Sequence, residues 1–180
     1  MSCTAQARCL DDNAIMQSFD NRNKKATTKP SADCYEYYVS AWWSSGRNGL
    51  AKADRSPVAI HFAAPVEFGG MEGRWTPEEL LLAAVASCFT TTLGAIASRA
   101  RVELTDLHVG ASASVRRSPS GYAIDEIILQ PSVRIVSADD ADRVLALMHK
   151  AENLCLVAKS LGIPVKITPK LDHAVAWHKA

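Results

Sequence analysis

Three residue types in this 180-residue chain stand where their chemistry can be more than packing. Cysteine comes first, at Cys3, Cys9, Cys34, Cys88 and Cys155. The number is odd, the spacings are long, and there is no CxxC or Cys/His cluster, so neither a structural zinc site nor a disulfide scaffold fits. Buried structural thiols, reactive thiols, or some of each remain. Arg47 lies between two glycines in Ser45-Gly46-Arg47-Asn48-Gly49, and Glu78 precedes Cys88 by ten residues in an apolar run. Each has an ordinary reading when taken alone. An unpaired cysteine is a common core residue, an Arg among glycines is a solvated turn, and a Glu at a helix start meets the dipole. As a nucleophile, however, a thiol must ionise, and at an ordinary pKa of about 8.5 little of it does so near neutrality. Cys88 is twelve residues past Thr76, beyond the field of a helix N-terminus, and apolar surroundings raise a thiol further. It therefore needs a cation, and the planar, permanently charged guanidinium suits that task.

The elements that must hold these residues can be read in order. Residues 1–32 read as a flexible N-terminal tail, polar in NRNKKATTKPSAD, with a short helix over 10–19; Cys3 and Cys9 are bystanders there. The folded domain covers 33–180. CYEYYVSAWWSS reads as a strand, SGRNGLAKADRS as a turn region and PVAIHFAAP as a second strand, giving a hairpin-like meander. VEFGGMEGRW is a glycine-rich loop. Thr76-Pro77-Glu78-Glu79 then opens a helix: a hydroxyl at the cap, Pro where no N–H is needed, and carboxylates in the first turn. The helix is apolar nearly all round until Arg99, which predicts a buried central helix of roughly 35 Å. LTDLHVGASASVRRS alternates as a half-buried strand. YAIDEIILQPSVRIVS is a second, with Pro131 indicating a bulge or an edge position. A helix over 138–149, a short helical segment around Cys155, and a closing strand in GIPVKITPKL complete a β-β-α-β-β-α-α-β order, an α+β domain.

Composition excludes several function classes. The net charge is +1 and the hydrophobic fraction is 48%, against an electrostatic nucleic-acid or acidic-membrane binder. No stretch of about 18 consecutive apolar residues predicts a membrane span, and the N-terminus lacks the basic and apolar regions of a secretory signal, so the expected address is the cytoplasm. His61 reads as a strand-face residue, and His108, His149, His173 and His178 have no metal-ligand spacing. Glu103, Asp106 and Glu126 read as solvated charges, and Arg116 with Arg117 is too small a pair for a nucleic-acid patch.

Three segments carry a resemblance. TPEELLLAAVASCF, with Pro77, Glu78, a small-residue run and Cys88, resembles the peroxidatic motif of the OsmC/Ohr family of thiol peroxidases. SGRNG resembles that family's glycine-flanked arginine loop. AENLCLVAKSL, 67 residues beyond Cys88, resembles its second-cysteine segment. The resemblance implies an OsmC-like α+β fold, with antiparallel sheets packed around the long buried helix, and an intertwined homodimer with two interface sites. It implies Cys88 as peroxidatic thiol, Cys155 as resolving thiol, Arg47 as holder of the thiolate and Glu78 as the residue orienting Arg47. It further implies reduction of organic hydroperoxides without a bound cofactor or metal, recharging by an external dithiol such as a lipoyl protein, and no nucleic-acid or membrane partner.

Physical chemistry frames those roles. Glu78 and Cys88, ten residues apart on one straight helix, are roughly 15 Å apart along its axis and cannot share one arginine. Either the helix breaks between them, or the site draws on two chains. The apolar residues Leu81, Val85, Phe89, Ile96 and Trp42 or Trp43 favour an alkyl peroxide. Where the family's second cysteine is followed by Pro, with a Ser two residues later, this chain has Leu156 and Ala158. Without the Pro, the helix is expected to continue through Cys155 and to hold it away from Cys88. Cys34, at the edge of the first strand, is then a stray thiol or a substitute resolver. The alternatives are a non-enzymatic redox sensor or apolar-ligand-binding protein of the same fold, and a structural role with inert thiols.

Overall fold

The computed structural model describes residues 34–135 and 137–173; the tail expected over 1–32, with Cys3 and Cys9, lies outside the described residues. The chain divides into two compact units, with the boundary after Pro77.

The first unit is a three-stranded antiparallel sheet in the order β1-β2-β3: β1 Val39–Ser45, β2 Asn48–Ala53 and β3 Ala59–Ala63. The sequence reading took 48–53 as part of a turn. It is a strand, and the turn is confined to Gly46 and Arg47. Gly46 has φ 52, a left-handed value that glycine adopts without strain. The Trp43 indole Nε1 donates to the Gly46 carbonyl at 2.9 Å and closes the same turn. Gly49 is needed for a different reason. A Cβ there would lie 2.4 Å from the ring of Phe62, its cross-strand partner. Leu50 and Ala63 are buried, whereas Tyr35, Tyr37, Trp43 and Val58 are exposed.

The second unit holds one long helix and a four-stranded sheet. Helix α1 runs unbroken from Pro77 to Arg99. Strands β4 (Leu104–Ser118) and β5 (Gly121–Ile135) form a long antiparallel hairpin. A 3-10 turn, Ala138–Asp140, is capped by Ser137, whose hydroxyl accepts the Asp139 N–H. It leads into α2 (Ala141–Leu154), then α3 (Leu156–Ser160), β6 (Val165–Ile167) and β7 (Lys170–His173).

Two expectations change here. The sheet is mixed, because β6 and β7 both pair parallel to β5, and GIPVKITPKL makes two short strands rather than one. Pro131 is at neither a bulge nor an edge: it is buried in the central strand, opposite Val109. The Ile127 N–H donates to the Pro164 carbonyl, and the Leu129 carbonyl accepts the Thr168 N–H. Odd-numbered polar groups of β5 therefore face the β6/β7 edge. Pro131 follows in that series, and its missing N–H faces the seam where β6 has ended and β7 has not begun.

The core of this unit gathers Val85, Phe89, Leu93 and Ile96 of α1 with Ile127, Leu129, Val133 and Ile135 of β5 and Val144 and Met148 of α2. α1 is not buried all round. Its opposite side exposes Ala84, Ser87, Thr91, Gly94, Ala95 and Ser98, small residues at helical spacing. Their low charge made the helix look uniformly apolar in sequence. The helix has the length and apolarity to cross a bilayer, yet its large side chains form this core.

Candidate functional site

Cys88 lies midway along α1, half-buried on the core side. Cys155 lies between α2 and α3, with no exposed surface. The fold of the second unit packs both thiols against one core, close enough that each alters the ionisation of the other.

The backbone at Cys155 explains how. Its φ of −63° and ψ of 107° are extended, so the helix stops there. Its N–H still bonds the Ala151 carbonyl at 2.9 Å, and its carbonyl accepts the Lys159 N–H at 3.0 Å. One residue thus closes α2 and opens α3. The expected continuous helix would have tied the Leu156 and Val157 N–H groups to carbonyls one turn back. The break frees both, and both N–H groups favour the ionised form of Cys88. It also turns Leu154 and Leu156 outward and leaves Cys155 inward, its Sγ 4.0 Å from the Val85 carbonyl. No proline is required: Cys155 alone leaves the helical conformation, and Leu156 resumes it.

The two thiols ionise differently. Burial pushes Cys88 up, but the Val157 N–H, the Cys155 thiol, the Leu156 N–H and the Thr92 hydroxyl outweigh it and hold Cys88 below its ordinary value. Cys155 is pushed up by burial and, despite the Ala158 and Val157 N–H groups, by donating its proton to Cys88 and by the charge there. The two shifts are opposite in sign: Cys88 is the more readily ionised thiol and Cys155 the more readily protonated one. The sequence argument demanded a cation for Cys88; within the second unit, neutral donors alone turn the balance.

Glu78 stands in the first turn of α1, and because α1 is unbroken it remains ten residues from Cys88. Its Oε2 is sealed from solvent without a hydrogen-bond partner among the described residues. Arg47 occupies the β1–β2 turn of the first unit with its side chain exposed, and its carbonyl accepts the Ala64 N–H at 3.0 Å. Cys34 is exposed ahead of β1. Sequence reasoning missed Thr92 and the two amides. Thr92, four residues beyond Cys88 on one helix, was available from spacing alone; the amides depend on a break that no residue type announces.

Comparison with known proteins agrees with this architecture. Residues 70–170 match the family described as OsmC-like protein. The uncharacterised protein YmaD of Bacillus subtilis is 28% identical over 130 residues, spanning 71% of this chain and 87% of that one. An organic hydroperoxide resistance protein of Xanthomonas axonopodis is 26% identical over 121 residues, 66% of this chain and 82% of its own. A solved OsmC-like protein of unknown function from Vibrio cholerae superposes with a TM-score of 0.69 at 19% identity, covering 76% of this chain and 99% of that chain.

Proposed function

Because this chain belongs to the OsmC family, we propose that it is a cysteine-based peroxidase that reduces organic hydroperoxides to alcohols. The observation that carries this reading is the thiol pair: a half-buried Cys88 favoured as thiolate, against a fully buried Cys155 favoured as thiol. The organic hydroperoxide resistance protein among the relatives supports the choice of substrate class.

The Cys88 thiolate attacks the distal oxygen of ROOH. An S–O bond forms, the O–O bond breaks, and the alkoxide leaves as ROH after taking a proton, so that sulfur is oxidised and the peroxide reduced. Cys155 then attacks the sulfenic acid, releasing water and leaving a Cys88–Cys155 disulfide. An external dithiol, such as a lipoyl group, restores both thiols by exchange. The acidic Cys88 suits attack and the protonated Cys155 supplies the second proton. Leu81, Val85 and Phe89 line this part of α1 and favour an alkyl group over bare hydrogen peroxide.

Arg47 holds the peroxide oxygen as charge develops, and Glu78 orients Arg47. The buried, partnerless Oε2 of Glu78 supports a guanidinium beside it, since an unmet carboxylate oxygen out of water is costly. With Glu78 about 15 Å along the helix from Cys88, the site draws on two chains of a homodimer. The exposed small-residue side of α1 and the exposed aromatics of the first unit supply surface for one. A reduced thiol pair of this kind belongs in the cytoplasm.

The test adds an organic hydroperoxide to the reduced protein and maps the peptides. A Cys88–Cys155 disulfide within seconds, followed by turnover with dihydrolipoamide, is expected. Cys88 sulfenic acid without a disulfide would remove the resolving role of Cys155, and unmodified Cys88 would overturn the peroxidase reading.

A further inference from the structure

Successive carbonyls of the β1–β2 turn are each tied down. The Gly46 carbonyl accepts the Trp43 indole N–H at 2.9 Å, the Arg47 carbonyl accepts the Ala64 N–H at 3.0 Å, and the Asn48 carbonyl accepts the Ser44 hydroxyl at 3.2 Å. The strand entering the turn is shaped as well. Between Trp43 and Ser45 the β1–β2 register shifts, which leaves Ser44 as an extra residue on β1. An insertion of this kind bends a strand and re-aims the side chains beyond it. Gly46, in its left-handed conformation, completes the reversal and delivers Arg47 at the tip.

Trp43 is the unusual donor. Its side chain is 71% exposed, so burial does not account for so large an aromatic in this place. Its N–H, by contrast, has a fixed acceptor within the turn. We propose that Trp43 is a positioning residue for Arg47: its indole N–H pins the Gly46 carbonyl, and with it the backbone from which the guanidinium is presented. An arginine side chain loses much rotamer freedom when it is held, and a fixed backbone beneath it limits what must be ordered at the moment of reaction. The part that Arg47 plays towards a peroxide rests on the function proposed above; the indole contact does not.

The experiment compares the full-length reduced protein with Trp43→Phe, which keeps an aromatic ring and removes the donor. Hydrogen–deuterium exchange is read first, without peroxide. The amides of residues 44–49 are expected to exchange about fivefold faster in the variant, the effect of losing one ordinary hydrogen bond. The rate of Cys88 oxidation by cumene hydroperoxide is read second, by peptide mapping, and is expected to fall by a similar factor. In an Arg47→Ala background, where an unassisted thiolate still reacts slowly, Trp43→Phe is expected to slow oxidation no further. A merely structural role for Trp43 would slow both backgrounds alike. Equal exchange in the two proteins overturns the proposal, as does an unchanged oxidation rate in Trp43→Phe or an additive loss in Arg47→Ala. A wild-type Cys88 that the hydroperoxide leaves unmodified would defeat the peroxidase reading, and the exchange comparison would then decide this one by itself.

Discussion

The two units differ in how far each closes its own apolar surface. In the second, a long helix, a hairpin and two parallel strands enclose Val85, Phe89, Leu93, Ile127, Leu129, Val133, Val144 and Met148 almost completely. In the first, Leu50 and Ala63 are buried, while Tyr35, Tyr37, Trp43, Val58 and Val66 remain more than half exposed. The unit with the closed core holds the thiol pair, where fixed donors must offset what burial costs the ionised form. The open one holds Arg47 on a hairpin turn, a place that suits presentation to another surface. Enclosure and exposure are thus divided between the units.

Substitutions can break that division, beginning with the largest effect. Cys88→Ser is expected to abolish hydroperoxide reduction, by more than about a thousandfold, while circular dichroism stays native; appreciable turnover would move the chemistry out of the second unit. Phe89→Ala is expected to cost about 3–5 kcal/mol in urea unfolding, because it empties a fully enclosed site. If the proposed homodimer uses the exposed aromatics, Trp43→Ala is expected to weaken it by about tenfold or more in sedimentation; an unchanged profile would remove that face from the proposal.

The thiols also give a pH signature. Cys88 is lowered on folding, so as pH climbs toward the ordinary thiol value of about 8.5 the folded state releases its proton first, and stability rises with pH. Cys155 is raised, so above that value the unfolded state releases first, and stability falls until the folded thiol titrates. Their joint contribution therefore peaks near the free-thiol pKa, and replacing both by alanine should flatten the peak in denaturant midpoints. Smallest of all, Asp106→Asn removes an exposed 3.8 Å ion pair with Arg134 and should change stability by less than about 1 kcal/mol.

Legibility in the sequence followed the same division. α1 could be read from Thr76-Pro77, and β4 and β5 from alternation, because an element with a buried face writes its period into the chain. β2 could not: NGLAKA has no large β-branched residue, and its one glycine imitates a loop although Gly49 serves the Phe62 ring. Cys88 and Cys155 were legible as a pair only through the family resemblance, since the absence of a proline predicted a continuous helix that would hold them apart. Their donors were not, since amides have no letter, and the break at Cys155 arises from packing rather than from a Pro or Gly.

The parallel pairing of β5 has a kinetic consequence. The β4–β5 hairpin can zip outward from its turn at Ser118 and Gly121, each bond shortening the search for the next. β6 and β7 cannot: Ile127 meets Val165 and Ser132 meets Lys170, each across a 38-residue loop that must close first. That loop carries α2, α3 and Cys155. The hairpin should consequently form early and the thiol pair late. In pulse-labelling during refolding, protection of Cys155 would then appear with the final β6 docking phase rather than with the initial collapse.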